Sequence, residues 1–261
     1  MDELRYGCDL SRVSRTLRSA FVRFGVDDET RAFIDHAAAH RHGRGVMALH
    51  AALRPFLSDF DINGLLDTYP LFLLSRAQWS ELLADSARGR LLDVGAGSGG
   101  VTERFATRFD TVTTTETSRP MVRRLRRRGW QSFRVDLAES NVPAAPYDAI
   151  TLLNVLDRAD RPRTLLRRLR DALSPKGVLV VATPLPYSPF VYDGGQTRDP
   201  REPLPIRGAD WESAAESLVR EVLAPLGLGL VRATRAPYLS RGDARQGLYV
   251  LDDFVGVFRP E

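Results

Sequence analysis

Residues 91–100 read Leu-Leu-Asp-Val-Gly-Ala-Gly-Ser-Gly-Gly. A short apolar run that breaks into glycines is a strand forced into a sharp turn. Glycine reaches backbone conformations closed to other residues and lets a ligand come close. A helix following such a turn offers its N-terminal N–H groups to whatever lies above it. The chain beyond repeats the pattern. Strands are expected at Arg90–Val94, Thr111–Thr115, Gln131–Val135, Tyr147–Leu153 and Val178–Ala182. Helices are expected at Val101–Phe109, Pro120–Arg128 and Arg163–Leu173, the last followed by the turn Ser174-Pro175-Lys176-Gly177. Strands alternating with helices build a parallel, doubly wound sheet. Apolar runs such as Val178–Val181 suit strands buried on both faces. After a Pro/Gly-rich excursion over 184–208 come a helix, Trp211–Leu226, and two strands, Leu228–Ala236 and Leu248–Phe258. The expected fold is α/β and Rossmann-like, with seven mostly parallel strands.

Residues 1–85 read differently, as helices. Leu10, Val13, Leu17, Ala20, Phe21 and Phe24 recur at helical spacing, and similar patterns cover Thr30–His40, Val46–Phe56 and the end of 65–84. The expected division is an N-terminal helical cover, 1–85, on a catalytic domain, 86–261.

Composition narrows the chemistry. One cysteine, Cys8, rules out an internal disulfide framework. The four histidines lie at 36, 40, 42 and 50, so everything from residue 51 onward works without His or Cys. His36, His40 and His42 have metal-ligand spacing but no Glu or Cys partner, and no metal is expected. Basic residues number 37 against 33 acidic ones, almost all arginine, with Lys176 the sole lysine. That balance is weak for a nucleic-acid surface, and the run Arg123–Arg128 reads as a solvated helix face. No apolar run is long enough for a membrane span, and no secretory leader is seen. A reducing cytoplasm is expected.

The glycine turn admits three ligands. Gly95-x-Gly97-x-x-Gly100, with Glu116 about 20 residues on, fits a dinucleotide site. Asp93 opposes that reading, since a carboxylate there repels a pyrophosphate and favours a cationic ligand. Ala96-Gly97-Ser98-Gly99-Gly100 looks like a nucleophile elbow, but such a hydrolase needs a histidine downstream. The third ligand is S-adenosylmethionine, which carries a sulfonium and an ammonium. It calls for acids closing successive strands, and Asp93, Glu116 and Asp136 do so in order. Gly95 and Gly97 then shape the turn, Glu116 accepts the ribose hydroxyls and Asp136 stands near the adenine amino group. This is a class I methyltransferase pattern.

Further segments carry a family resemblance. Leu153-Asn154-Val155-Leu156-Asp157-Arg158 and Tyr249-Val250-Leu251-Asp252-Asp253, together with the glycine turn, resemble the DREV methyltransferases. Asp61-Ile62-Asn63-Gly64, Pro237-Tyr238-Leu239 and Gly242-Asp243 also match, so the likeness covers about residues 61–261. The resemblance implies methyl transfer to a ring nitrogen of histidine in His-x-His peptides or proteins. It implies that Asn154 and Asp157 face the acceptor imidazole, with Asn154 also near the cofactor. Imidazole is largely neutral at pH 7, so orientation and tautomer control matter more than a strong base. Tyr249 is a further catalytic candidate. Tyr238, Asp252 and Asp253 are candidates for substrate binding. A small-molecule or natural-product methyltransferase of the same fold is the alternative.

Overall fold

The computed structural model describes residues 4–39, 62, 70–84, 88–193, 196–242 and 246–261. Its centre is one sheet. In chain order the strands are β1 (Leu71–Phe72), β2 (Arg90–Val94), β3 (Thr111–Glu116), β4 (Gln131–Arg134), β5 (Tyr147–Leu153), β6 (Leu173–Pro184), β9 (Leu228–Arg241) and β10 (Leu248–Pro260). They lie in the order β1-β9-β10-β6-β5-β2-β3-β4. The five strands from β6 to β4 run parallel, and β10, β9 and β1 continue the sheet antiparallel. The remaining two strands, β7 (Val191–Asp193) and β8 (Gln196–Arg198), form a hairpin inside the 184–208 excursion.

The mostly parallel sheet is as expected, but it has eight strands rather than seven. The extra edge strand comes from the N-terminal region, where β1 pairs Leu71 and Phe72 with Ser240 and Leu239. The described part of that region is therefore not wholly helical. It also holds α1 (Arg15–Ala20), α2 (Asp28–Ala39) and α3 (Arg76–Leu83). Ser14 caps α1, and a reciprocal capping box between Ser75 and Gln78 opens α3. Past α1 the chain turns extended, and Val22 donates its amide to Ala233 of β9. Glu29 of α2 pairs with Arg104 and accepts the Arg76 amide, which fixes α2 against the segment after the glycine turn. The helix expected at Val46–Phe56 lies outside the described residues.

Three further expectations are corrected. Val101–Phe109 is not an α-helix but two 3-10 turns, Thr102–Arg104 and Ala106–Arg108. Thr102 is tied by its side chain to Asp93, and Val101, Phe105, Ala106 and Phe109 all remain buried. Ser174–Gly177 does not precede β6 but bulges within it. Between two matched pairs, Tyr147 with Leu173 and Ala149 with Val178, β6 carries the surplus residues. Trp211–Leu226 is helical in three forms: α6 (Trp211–Ser217), a π turn (Leu218–Leu223) and a 3-10 turn (Ala224–Leu226). Pro225 lacks an amide proton and its ring crowds the carbonyl of Glu221, which accounts for the last, 3-10 form but not for the change at Leu218.

Helices α4 (Arg119–Arg127) and α5 (Pro162–Asp171) complete the crossovers. Each buries one stripe: Met121, Val122 and Leu125 in α4, and Leu165, Leu166 and Leu169 in α5. Two cores result. One face packs Leu92, Ile150, Leu152, Leu179 and Val181 under α5 and α6. The other packs Leu91, Ala149, Val178, Val180 and Val255 under Trp79, Leu82 and Leu83 of α3.

Candidate active site

The carboxyl ends of β2, β3, β5 and β6 stand side by side, which is where open α/β sheets place their ligands. The glycine turn leaves β2 there. Gly95 (φ +69°), Gly97 (φ +57°) and Gly99 (φ +81°) all adopt the left-handed region. The amide of Gly95 donates to Thr115 O at 2.9 Å, so the turn is pinned to the neighbouring strand. A Cβ on Gly97 would meet nothing within 4 Å. The turn thus leaves open space above itself, which fits a bound cofactor.

Glu116 ends β3 and organises this turn. Its Oε1 accepts the Gly97 amide at 2.9 Å, and its Oε2 accepts the amides of Thr117 and Ser118 at 2.9 and 3.3 Å. Asp93 lies deeper, 2% exposed on β2. Thr102 donates to its Oδ2 at 2.5 Å and Thr151 to its Oδ1 at 2.6 Å. Burial pushes this carboxyl up to about 6, and the charge of Glu116 adds to the effect while the two hydroxyls oppose it. A cation over the turn would feel the charge of Asp93 rather than a free oxygen. Asp136 is exposed just after β4, and its Oδ1 accepts the Ala138 amide at 2.8 Å.

The tip of β5 carries the second cluster. Asn154 has φ +54°, a conformation that asparagine tolerates better than most residues. Its amide donates to Ala182 O of β6 at 2.9 Å. Its side-chain Nδ2 donates to Asp253 Oδ2 at 2.7 Å. Asp157 is 3% exposed. Arg158 holds its Oδ2 at 2.5 Å, while its Oδ1 is buried and without a hydrogen bond. Burial raises the Asp157 carboxyl and the adjacent Arg158 charge opposes that rise. The Arg158 guanidinium lies over the Phe190 ring at 3.7 Å from its centroid, so the excursion after β6 closes over this tip. Tyr187 joins it, its hydroxyl donating to Leu156 O at 3.0 Å.

The β9–β10 hairpin brings its residues to the site selectively. Cross-strand partners share a face, so Asp253, Tyr238 with Leu251, and Tyr249 with Ser240 lie on one side. Asp252 lies on the other. There Arg235 grips it with two bonds, Nε to Oδ1 at 2.8 Å and Nη2 to Oδ2 at 2.5 Å. Tyr238 is drawn in: burial and the Asp253 charge raise its phenol far above the usual value, a side-chain interaction with Asn154 opposes that rise, and Asp157 and Asp93 add smaller contributions. Asp253 is fully buried and raised well above the normal carboxyl range, first by burial and then by the charge of Asp157. Tyr249 is 39% exposed, near the hairpin end.

The structure therefore brings together Asn154, Asp157, Tyr238 and Asp253, with Asp93 behind them. Gly95, Gly97 and Glu116 form the adjoining turn. Asp252 is turned away, and Asp136 is exposed just beyond the point where the Val135 amide meets Glu116 O. Sequence reasoning missed Thr102, Thr151 and Arg235, which position the acids. For Thr151 the available signal was a polar residue inside the apolar strand Tyr147–Leu153. Among the described residues no three His, Cys, Asp or Glu side chains could hold a metal, and His40 and His42 lie outside them. No helix among the described residues is long and apolar enough to cross a membrane.

The family model of the DREV methyltransferases matches residues 5–260. The chain belongs to that family. Uncharacterized methyltransferases of Mycobacterium bovis and Mycobacterium tuberculosis are each 32% identical to it over 97 residues, 36% of this chain and 49% of theirs. This DREV chain thus spans about half the length of the curated relatives it matches. Among solved structures it is similar to the complex of DhpI with SAH, at 19% identity over 88% of this chain and 96% of that one, TM-score 0.47. It is also similar to the N-methyltransferase NodS of Bradyrhizobium japonicum with S-adenosyl-L-homocysteine, at 16% identity over 89% and 99%, TM-score 0.47. In the DREV chain the two motif segments ending in Asp-Arg and Asp-Asp meet in space through the Asn154–Asp253 hydrogen bond.

Proposed function

We propose that this chain is an S-adenosylmethionine-dependent methyltransferase that modifies a histidine ring nitrogen in His-x-His peptides or proteins. The observation that carries the reading is Asp157: a buried carboxyl at the tip of β5 with one oxygen held by Arg158 and the other unpartnered. Family membership supports the methyl transfer, and the glycine turn with its open space over Gly97 supports the cofactor. Gly95 and Gly97 shape the cradle, Glu116 binds the ribose hydroxyls, Asp136 lies towards the adenine, and Asp93 supplies negative charge beneath. When bound, S-adenosylmethionine supplies an electrophilic methyl group.

The chain's residues do the rest. Asp157 accepts the N–H of the acceptor imidazole at its far nitrogen, which fixes the tautomer and leaves the other nitrogen's lone pair free. The same carboxylate offsets the charge that the ring gains on methylation. Asn154 places the ring, and Tyr238 and Tyr249 form its wall. Holding the acceptor in line is the main catalytic contribution in a displacement of this kind. Residues 1–85 act as the cover, with Glu29 and Arg104 fastening α2 beside the turn.

The test is single-turnover methylation of a His-Ala-His peptide at saturating cofactor. The unmodified protein should label the peptide. Asp157→Asn should bind S-adenosylhomocysteine as before and lose about 10²–10³ in rate, the size of one charge-stabilising contact. A rate within a few-fold of the unmodified protein would reduce Asp157 to a partner for Arg158. Labelling of free imidazoles or amines, with none of the peptide, would move the function to small molecules.

A further inference from the structure

Asn154 and Asp253 are 99 positions apart and meet in one hydrogen bond of 2.7 Å, amide nitrogen to carboxyl oxygen. The contact settles more than a distance. Asp253 Oδ2 accepts from the Asn154 side-chain nitrogen, so the end of the amide turned towards the carboxyl is its NH2. The carbonyl end is what Asn154 has left. That oxygen is buried and accepts no well-formed hydrogen bond, and the same is true of Asp157 Oδ1 and Asp253 Oδ1. Two of the three belong to side chains at most 3% exposed. They are close enough that the charge of Asp157 acts on Asp253 and on Tyr238. Arg158, the neighbouring cation, is already spent on the other oxygen and the main-chain carbonyl of Asp157.

Buried acceptors without donors are costly to leave unmade. Three in one place describe a site whose missing members are donors. A ligand that answers them carries an N–H in addition to the lone pair that reacts. A neutral imidazole does so, with a lone pair on one ring nitrogen and an N–H on the other.

We propose that Asp253 is a positioning residue that sets the polarity of this site: it captures the Asn154 amide by its nitrogen, leaves the amide oxygen to the ligand, and so selects an acceptor ring that bears an N–H. Asp253 touches neither the acceptor nor the cofactor in this role and acts through Asn154. The inference rests on the methyl-transfer reading for what becomes of the ligand, but recognition is tested by binding alone.

The experiment uses the full chain saturated with S-adenosylhomocysteine and two isomeric probes, 4-methylimidazole and 1-methylimidazole, at a pH where both are neutral. They have the same atoms, and only the first has an N–H. Calorimetry should show the unmodified protein favouring 4-methylimidazole by about 10-fold, the worth of one buried hydrogen bond. In Asp253→Leu, which offers neither donor nor acceptor at nearly the same size, nothing holds the Asn154 amide by its nitrogen, so either end can face the ligand. The preference should then collapse to about 2-fold or reverse. Asp253→Glu, which restores an acceptor, should recover part of it. Equal binding of the two isomers by the unmodified protein, binding of neither, or an unchanged preference in Asp253→Leu would each overturn the proposal. Should the variants fail to bind S-adenosylhomocysteine, the unmodified protein still decides. Its Asn154 side-chain NH2, held by a buried carboxyl, should exchange slowly with solvent in a nitrogen-15 NMR spectrum, and rapid exchange overturns the assignment. A protein that discriminates between the isomers yet labels no His-Ala-His peptide would keep this inference and lose the peptide substrate.

Discussion

Val155 fills the space that a side chain on Gly95 would need: a Cβ built there would stand 2.5 Å from Val155 Cγ2. Val155 follows Asn154, so the glycine turn and the tip of β5 share a wall. Gly95→Ala should therefore disturb both the cradle and the acceptor side. The left-handed backbone costs an alanine about 1–2 kcal/mol, and the clash adds about 1–3 kcal/mol. Adding Val155→Ala should recover the clash and leave the backbone cost. Urea unfolding of the single and double variants measures the two parts.

Asp93 predicts a dependence of stability on pH. Its carboxyl titrates near 6 in the folded protein and near 3.8 otherwise. Between those values the folded state binds the extra proton, so stability falls as pH rises through that window and is level above it. The loss attributable to Asp93 is about 3 kcal/mol in all. Asp93→Asn removes it. The variant should gain on the unmodified protein between pH 4 and pH 7 in denaturant titrations, and a constant difference across that range would contradict the buried-acid account.

Arg158 opposes the rise of the Asp157 carboxyl. Its removal should therefore raise that carboxyl further. If the ionised form orients the acceptor, the acid limb of the single-turnover rate in Arg158→Ala moves to higher pH, while the plateau stays within a few-fold. An acid limb that keeps its place would separate Asp157 from the pH response.

Neighbouring acids in β10 should behave differently when removed. Arg235, its side chain 8% exposed, depends on Asp252 for both of its bidentate bonds. Asp252→Ala strands a buried guanidinium, with Glu212 at 3.8 Å as the remaining acid. The expected loss is about 3 kcal/mol in unfolding free energy, the lower end for breaking a buried pair. Because Asp252 faces away from the site, affinity for S-adenosylhomocysteine should not change in the folded fraction. Calorimetry below the melting range checks this.

Much of this architecture was legible in the chain. The glycines of 95–100 and Asn154 stand out against the apolar strands they close, Glu116 ends a β-branched run, and their chain order placed them at one edge of a sheet. Asp252 and Asp253 were legible only as a pair. Which of them enters the site depends on a register set by β6 and β9, and nothing local encodes that. Strand β1 is two residues long, too short for any alternation to show. The stretch Val101–Phe109 has a helix's apolar spacing, yet the Thr102–Asp93 hydrogen bond belongs to its tertiary setting and the segment folds as 3-10 turns.

The position of β10 between β6 and β9 has a consequence for how the molecule is made. A ribosome delivers β2 to β6 first, and these can pair as they emerge. Strand β9 arrives next and can join only its N-terminal partners, β1 and the Val22 amide, since the strand that bridges it to β6 follows it. Only when Leu248–Pro260 threads into the gap does Asn154 acquire its carboxyl partner. The parallel half of the sheet can thus assemble before the two motif segments meet, and their meeting waits on a single inserted strand.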